Sequence, residues 1–415
     1  MVVDRSYLPR LVDARISEML SELPAVLIVG PRATGKTTTA ARHARTVIRL
    51  DEPAEAVAFA ADPDAALRQF PEPVLLDEWQ AVPGVLGAIK RTVDVSPTPG
   101  RFLVAGSVRA DLQAESWPGT GRLVRIAMTG LSMREIDGQI DGPTFVDRIA
   151  ESGLDALPTP TDPPDLPGYL ELALRSGFPE PALRLSPTRR EEWLESYLDQ
   201  LLTRDVELLG ESRDPNRLRR FFEALALNSA GIVTNKTVFE AARINAKTAD
   251  AYESLFKNLL VVDSLPSWWT NRLKRLVQVP KRYVTDPGLI GAALRVDVRA
   301  VLRDGDLLGR ILDTFVVAQL RTDIPVSVSR PRLYHLRQEG GRHEIDILIE
   351  LGGGRVIALE VKADAAPNRD AGRHLAWLRD ELDDRFVAGL VLHTGKRTYP
   401  LGTNITAAPI ATLWS

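Results

Sequence analysis

The run Gly30-Pro31-Arg32-Ala33-Thr34-Gly35-Lys36-Thr37 has the residue types and spacing that phosphate chemistry requires. Glycines at both ends let the backbone wrap with its N–H groups pointing inward. A helix opening at Thr37 adds partial positive charge where phosphates sit. Gly30 through Thr38 would line ATP, with Lys36 reaching the β- and γ-phosphates and Thr37 offering its hydroxyl to Mg²⁺. A second run, Val74-Leu75-Leu76-Asp77-Glu78, is an apolar strand ending in two acids. Asp77 would hold Mg²⁺ through water and Glu78 would orient and activate an attacking water. Phe102 to Ser107 is another buried strand with a polar end, so Ser107 is either a γ-phosphate sensor or an ordinary strand-end residue. Arg109, Arg122 and Arg125 follow. Arg122 is the first candidate to neutralise charge on the transferring phosphoryl group, the alternative being a solvated loop arginine.

The last third holds a second constellation. Glu344 to Leu351 alternates, Gly352-Gly353-Gly354 turns, and Arg355 to Lys362 alternates again, which is a β-hairpin. If Gly353 centres the turn, Asp346 and Glu360 lie equidistant from it and oppose each other on one face, which Lys362 shares. Two carboxylates and an amine at a hairpin end can hold a divalent metal and a nucleophilic water against a phosphodiester. Asp346 and Glu360 would be the ligands, for Mg²⁺ or Mn²⁺, and Lys362 would stabilise developing negative charge. Asp313, on an expected helix Leu307 to Leu320, is an upstream acid for the same site. The bland alternative is a solvated charged face.

These groups need a scaffold, and the pattern supplies one. Strands and helices alternate to about residue 135, which implies a mostly parallel sheet covered by helices. Before it, Leu11, Ile16, Met19, Leu20 and Leu23 recur at helical spacing. The proline-rich run between Ala156 and Gly168 reads as a linker or surface loop. From Tyr169 to Leu227 the pattern is helical, with an apolar stripe of Trp193, Leu194, Tyr197, Leu198, Leu201 and Leu202. Arg204 and Asp205 close that stripe, either as an internal ion pair or as a bridge to nucleotide.

Asn228 to Val284 has winged-helix order: a short helix from Thr234, a turn, a helix from Ala246 burying Tyr252, Leu255, Phe256 and Leu259, and two strands. Lys247, Lys257, Arg272, Lys274 and Arg275 are its candidate DNA contacts, the last three forming a basic wing. Asp250 and Glu253 dilute the helix's positive charge, and a protein-docking winged helix is the competing reading. The expected domains are therefore 1–155 for the ATPase, 156–168 for the linker, 169–227 for the helical segment, 228–304 for the winged helix and 305–415 for the nuclease-like end. The fold class is α/β.

A chain of 415 residues suits two or three domains, and its net charge of −3 leaves any nucleic-acid binding to a local patch. The absence of cysteine removes disulfides, thiolate zinc sites and thiol catalysis, and fits a reducing cytoplasm. No apolar run approaches the ~20 residues of a membrane helix, so a cytoplasmic location without membrane attachment is expected.

The order of parts resembles bacterial and archaeal AAA-type ATPases (AAA_14-like) whose carboxy-terminal half, DUF4143, is similar to PD-(D/E)XK nucleases. The resemblance rests on Gly30-Pro31-Arg32 through Lys36-Thr37-Thr38, Leu50-Asp51-Glu52-Pro53, Asp77-Glu78-Trp79-Gln80, Phe102 to Ser107, Gly121-Arg122, Arg204-Asp205-Val206, Tyr283 to Gly288, and Asp346 with Glu360-Val361-Lys362. It covers nearly the whole chain. Trp79 stands where a smaller residue is usual, and Asp313 where glutamate is usual. The resemblance implies an ATPase motor, a winged-helix linker and a nuclease-like end, in proteins tied to mobile elements, phage defence or toxin–antitoxin loci. DNA is the expected partner, with a homo-oligomer or a protein partner on the winged helix also open. The alternative function is a nucleotide-switched docking protein whose nuclease fold cuts nothing.

Overall fold

The computed structural model describes residues 7–107, 121–205, 214–232, 235–269, 279–338 and 342–415. The chain forms two compact units, one of residues 1–131 with 257–260 and the other of 132–256 with 261–415.

The first unit is built on a five-stranded sheet, β1 (Ala25–Val29), β2 (Thr46–Arg49), β3 (Val74–Asp77), β4 (Phe102–Gly106) and β5 (Val124–Ala127), in the order β2-β3-β4-β1-β5. All pairings are parallel. The pattern of burial explains the order. β1, β3 and β4 are buried at every position and are almost wholly apolar, as strands covered on both faces must be, whereas β2 and β5 each bury a single residue, Ile48 and Ile126, and take the edges. β4 enters between β1 and β3, so three strands that carry polar groups at their carboxyl ends emerge side by side. Helix α1 (Val12–Glu22) buries Val12, Ile16 and Met19, and α2 (Lys36–Ala41) starts at the phosphate loop. Helix α3 (Gly84–Val95) buries Val85, Leu86, Ala88, Ile89 and Val93.

The second unit contains a mixed six-stranded sheet of β8 (Arg332–Arg337), β9 (Glu344–Glu350), β10 (Val356–Val361), β11 (Phe386–His393), β12 (Tyr399–Gly402) and β13 (Ile405–Pro409). β8, β9 and β10 form an antiparallel meander. β11 then runs parallel to β10, with α4 (Gly305–Asp323) against β10 and α5 (Arg373–Leu382) against β11. Helices Asn235–Ala241 and Ala246–Asn258 precede an antiparallel pair, β6 (Val262–Leu265) and β7 (Lys281–Val284). That is the helix, turn, helix, strand-pair order expected of the middle segment. In the helical stretch before it, Leu194, Leu198, Leu201 and Leu202 are buried, and Trp193 stacks on Tyr197 at 5.3 Å between ring centres.

The contact boundary lies earlier than the expected residue 155. From Ser132 onward the chain docks on α4: the Met133 amide donates to Gln319 Oε1 at 2.7 Å, and the Phe145 amide donates to Asp323 Oδ2 at 3.0 Å. Pro160 and Pro163 of the expected linker are buried. Among the described residues no helix is long and apolar enough to cross a membrane.

Candidate functional site

The phosphate loop leaves β1 at Gly30, where a Cβ would stand 1.9 Å from the Met128 carbonyl oxygen, so only glycine lets the loop sit this close to the exit of β5. Gly35 closes it at φ +89°, a left-handed conformation natural to glycine. Thr34 is fully buried and its hydroxyl donates to Pro31 O at 2.9 Å. The Lys36 ammonium, 6% exposed, donates to the same carbonyl at 2.7 Å. Arg32 and Thr37 are half-buried, and Ala33 and Thr38 are exposed.

One contact decides how the acidic strand relates to the loop. Thr37 Oγ1 donates to Asp77 Oδ2 at 2.8 Å. A hydroxyl and a carboxylate drawn from loop and strand to one point are the oxygen donors that a hard divalent cation takes, so the residues present fit Mg²⁺. Glu78 follows at φ +50°, an uncommon conformation for a non-glycine residue and one that clusters at functional sites. Its Oε2 accepts from Gln80 Nε2 and, at 3.4 Å, from Ser107 Oγ. Ser107 thus stands at the end of the intervening strand with its hydroxyl on the candidate water-activating acid. Trp79, the bulky departure from the family pattern, fits because Gly106 has no side chain: a Cβ there would lie 2.4 Å from the indole Nε1.

Burial lowers the Lys36 pKa to about 8, against the opposing pull of Glu78 and Asp77. The ammonium is the phosphate-binding form. Affinity for ATP should therefore be flat below pH 8 and weaken by about tenfold per unit above it. Calorimetry at pH 8.5 in buffers of different ionisation enthalpy should show a proton taken up on binding.

Arg10 was not legible as part of this site. It is 4% exposed, and its guanidinium donates to Thr34 O at 2.9 Å and to Thr129 O and Gly130 O at 2.9 and 3.2 Å. It ties the crown of the loop to the chain leaving β5. Charged hydrogen bonds of this kind contribute about 1.5–3 kcal/mol each. Arg10→Ala should therefore raise the KM for ATP by roughly tenfold or more and lower the melting temperature, while Arg10→Lys, which keeps the charge but not the fork, should recover only part of the loss.

In the second unit the hairpin pairs about Gly353, which sits at φ +74°. Val356 opposes Glu350 and Leu359 opposes Ile347. Continuing that register sets Asp346 opposite Glu360. The Val361 amide donates to Asp346 Oδ2 at 3.1 Å, and Lys362 Nζ donates to Glu360 Oε2 at 3.1 Å. Asp313, on α4, joins the group. Between Asp313 and Asp346 stands a residue that sequence reading missed. Lys281 Nζ, 3% exposed, lies 2.5 Å from Asp313 Oδ2 and 3.1 Å from Asp346 Oδ1. Tyr283, on the same face of β7, donates its hydroxyl to Asp313 Oδ1 at 3.1 Å. Alternation along Lys281-Arg282-Tyr283-Val284 places Lys281 and Tyr283 together, but nothing local says that they meet Asp313.

Burial pushes the Asp313 carboxyl up to about 6, the Asp346 charge adding to the effect and Lys281 opposing it. Burial and the Asp346 charge raise Glu360 well above the carboxylate range. Asp346 is also pushed up by burial, but the charges of Lys281 and Lys362 outweigh this and hold it low. The expected metal ligands Asp313 and Asp346 are thus bridged by an ammonium. Among the described residues no group of three or more acids and histidines is arranged to hold a metal ion.

Residues 22–137 match the model of an AAA domain (AAA_14), residues 167–300 that of a domain of unknown function (DUF8612), and residues 308–413 that of a domain of unknown function (DUF4143). The chain carries an AAA domain and a DUF4143 domain. Uncharacterized protein Rv2008c of Mycobacterium tuberculosis and Uncharacterized protein Mb2031c of Mycobacterium bovis are each 27% identical over 402 residues, which is 95% of this chain and 82% of theirs. Among solved structures, the Walker-type ATPase PABY2304 of Pyrococcus abyssi aligns at a TM-score of 0.39 with 14% identity, over 70% of this chain and 96% of that one. The Aeropyrum pernix ORC1 protein in complex with DNA aligns at 0.28 with 12% identity, over 72% and 96%.

The AAA domain does not bring Arg122 to the loop. β5 runs parallel to β1 with Val124 beside Val26 and Ala127 beside Val29, so Arg122 lies before the amino-terminal edge of the sheet while the loop leaves the carboxyl edge. The separation is roughly 15–20 Å at strand rise. Arg122 Nε donates instead to Asp94 Oδ1 at 2.8 Å in an exposed pair. Within one chain it is therefore no arginine finger. Arg109 lies outside the described residues, as do Arg272, Lys274 and Arg275 of the expected wing. Lys247 is exposed and Lys257 half-buried on helix Ala246–Asn258, and Glu253 of that helix accepts from Arg282 Nε at 3.0 Å. Arg204 is exposed at the end of the turn Leu201–Asp205. The DUF8612 match spans both the helical segment and the expected winged helix, without a break near residue 228.

Proposed function

We propose that this chain is a Mg²⁺-dependent ATP hydrolase whose nucleotide state governs a nucleic-acid-binding second unit. The Thr37–Asp77 hydrogen bond carries the catalytic half of that reading, because it joins the loop hydroxyl and the strand acid that share the metal in phosphoryl-transfer sites. When bound, Mg²⁺ neutralises charge on the β- and γ-phosphates. The loop amides and Lys36 hold the phosphates, with Lys36 leaving the Pro31 carbonyl to do so. Asp77 and Thr37 would hold the ion. Glu78 accepts the proton of the attacking water, and Gln80 and Ser107 fix the Glu78 carboxylate for that task.

For the carboxy-terminal end, DNA is the proposed partner and the Asp346, Glu360 and Lys362 hairpin the nuclease-like element. The ammonium between Asp313 and Asp346 favours a second reading, in which ATP switches a docking protein that does not cut as it stands. Phosphate release with Mg²⁺ and ATP should be abolished in Lys36→Ala, and DNA affinity should fall steeply between low and moderate salt. Native protein without ATPase activity would refute the hydrolase. Metal-dependent cleavage of DNA by the native chain, lost in Glu360→Ala, would refute the second reading.

A further inference from the structure

We propose that Arg175 and Arg190 form an oxyanion site in the second unit, suited to a phosphate group and made of residues that neither the phosphate loop nor the hairpin uses. Arg175 closes the helix Leu166–Arg175, and Arg190 lies in the first turn of the helix Pro187–Gln200. Both side chains are half-buried. A guanidinium carries five N–H donors and no acceptor. Among the described residues Arg175 places only one of them, with Nη2 donating to the Met133 thioether at 2.8 Å. Its Nε is sealed from solvent and has no partner. Among the described residues no carboxylate stands within ion-pair distance of either arginine.

A charge drawn out of water without a counter-charge or a full set of hydrogen bonds is costly. Burial, and after it the like charge of Arg190, holds the Arg175 pKa below its ordinary value, and burial does the same to Arg190. Asp137 is the acid whose charge opposes this at Arg175, yet it forms no ion pair there. A thioether is a weak acceptor, so an oxyanion can displace it and take the Nη1–Nη2 edge of the fork. Arg190 is anchored from its other side: Nε donates to Pro181 O at 3.0 Å and Nη2 to Leu185 O at 3.4 Å, which leaves Nη1 open. Two guanidinium charges suit a phosphate dianion better than a single carboxylate, and a tetrahedral group has oxygens for both forks.

The backbone beside Arg175 is fixed. Ser176 sits at φ +73°, a value that non-glycine residues seldom adopt. Its hydroxyl and the Gly177 amide both donate to the buried Asp286 carboxylate, at 3.0 and 2.8 Å. Strained backbone that its surroundings hold in this way clusters at ligand sites. Arg175 is thus presented from a clamped turn, and an arriving anion has little main chain left to order.

The probe is inorganic phosphate, titrated against the full chain carrying Lys36→Ala, which weakens the phosphate loop, at an ionic strength matched with chloride. Melting temperature and calorimetry are the readouts. Phosphate should raise the melting temperature where chloride does not. Adding Arg175→Gln or Arg190→Gln should weaken phosphate binding about tenfold or more, the weight of one charged hydrogen bond. Asp137→Asn should strengthen it, since a charge that repels the oxyanion is removed. Arg190→Gln keeps the test readable where Arg175→Gln does not fold. An identical phosphate response with and without the two arginines would overturn the proposal. So would an Asp137→Asn chain that, without phosphate, loses as much stability as Arg175→Gln, because Arg175 would then serve Asp137. A short oligothymidylate with and without a 5′-phosphate separates the sources: binding that needs the 5′-phosphate and is lost in Arg175→Gln assigns the end of a nucleic acid, and a response to inorganic phosphate alone assigns the free ion.

Discussion

Glu78→Gln should bind ATP within a few-fold of the native affinity yet hydrolyse it about 10²–10⁴-fold more slowly, the range by which a positioned general base accelerates proton transfer. The amide keeps the shape and can still meet Gln80 and Ser107, but it cannot take a proton from water. The loop, Lys36 and the Thr37–Asp77 contact remain intact, so the defect belongs in kcat and not in KM. Single-turnover hydrolysis, alongside equilibrium binding of a non-hydrolysable ATP analogue, measures both. A large rise in Kd with little change in the single-turnover rate would move the role of Glu78 from the water to the nucleotide or the fold.

Lys281→Met should cost about 3–5 kcal/mol of stability, because breaking one side of a buried ion pair strands the other. Here it strands two carboxylates. The cost should depend on pH. Asp313 already has a raised pKa in the folded chain, so its contribution to stability is present below its unfolded value and is lost as pH rises through about 6. Removing the ammonium raises that pKa further. The destabilisation by Lys281→Met should accordingly be smaller at pH 5 than at pH 8, and adding Asp313→Asn should restore part of it. Urea midpoints at the two pH values test this, and equal losses at both would show that Lys281 acts through packing.

Local chemistry was readable in advance and distant chemistry was not. The phosphate loop is contiguous, and its glycines announce their backbone demands. Asp77 and Glu78 were placed because a strand delivers its last residues to one edge of a parallel sheet. The hairpin was legible because a turn centred on Gly353 fixes every pair on either side of it. Arg10, Lys281 and Tyr283 were missed for the converse reason: each meets partners far along the chain, and no periodicity encodes that meeting. Residue order does not tell which edge of a sheet a loop occupies, whereas the register of β5 on β1 does, and within one chain it sets Arg122 at the edge away from the phosphate loop. The boundary expected at residue 155 is set by the proline-rich run, whereas the contact division falls at Ser132, where the Met133 and Phe145 amides are bound by side chains of α4.

The crown of the phosphate loop and the backbone at 128–130 are fastened to each other twice, by the contact that only Gly30 permits and by the fork of Arg10. Ser132, two residues beyond that backbone, begins the second unit. Within the first unit the loop and the backbone at 128–130 are therefore held as one piece, by two fastenings that do not depend on each other.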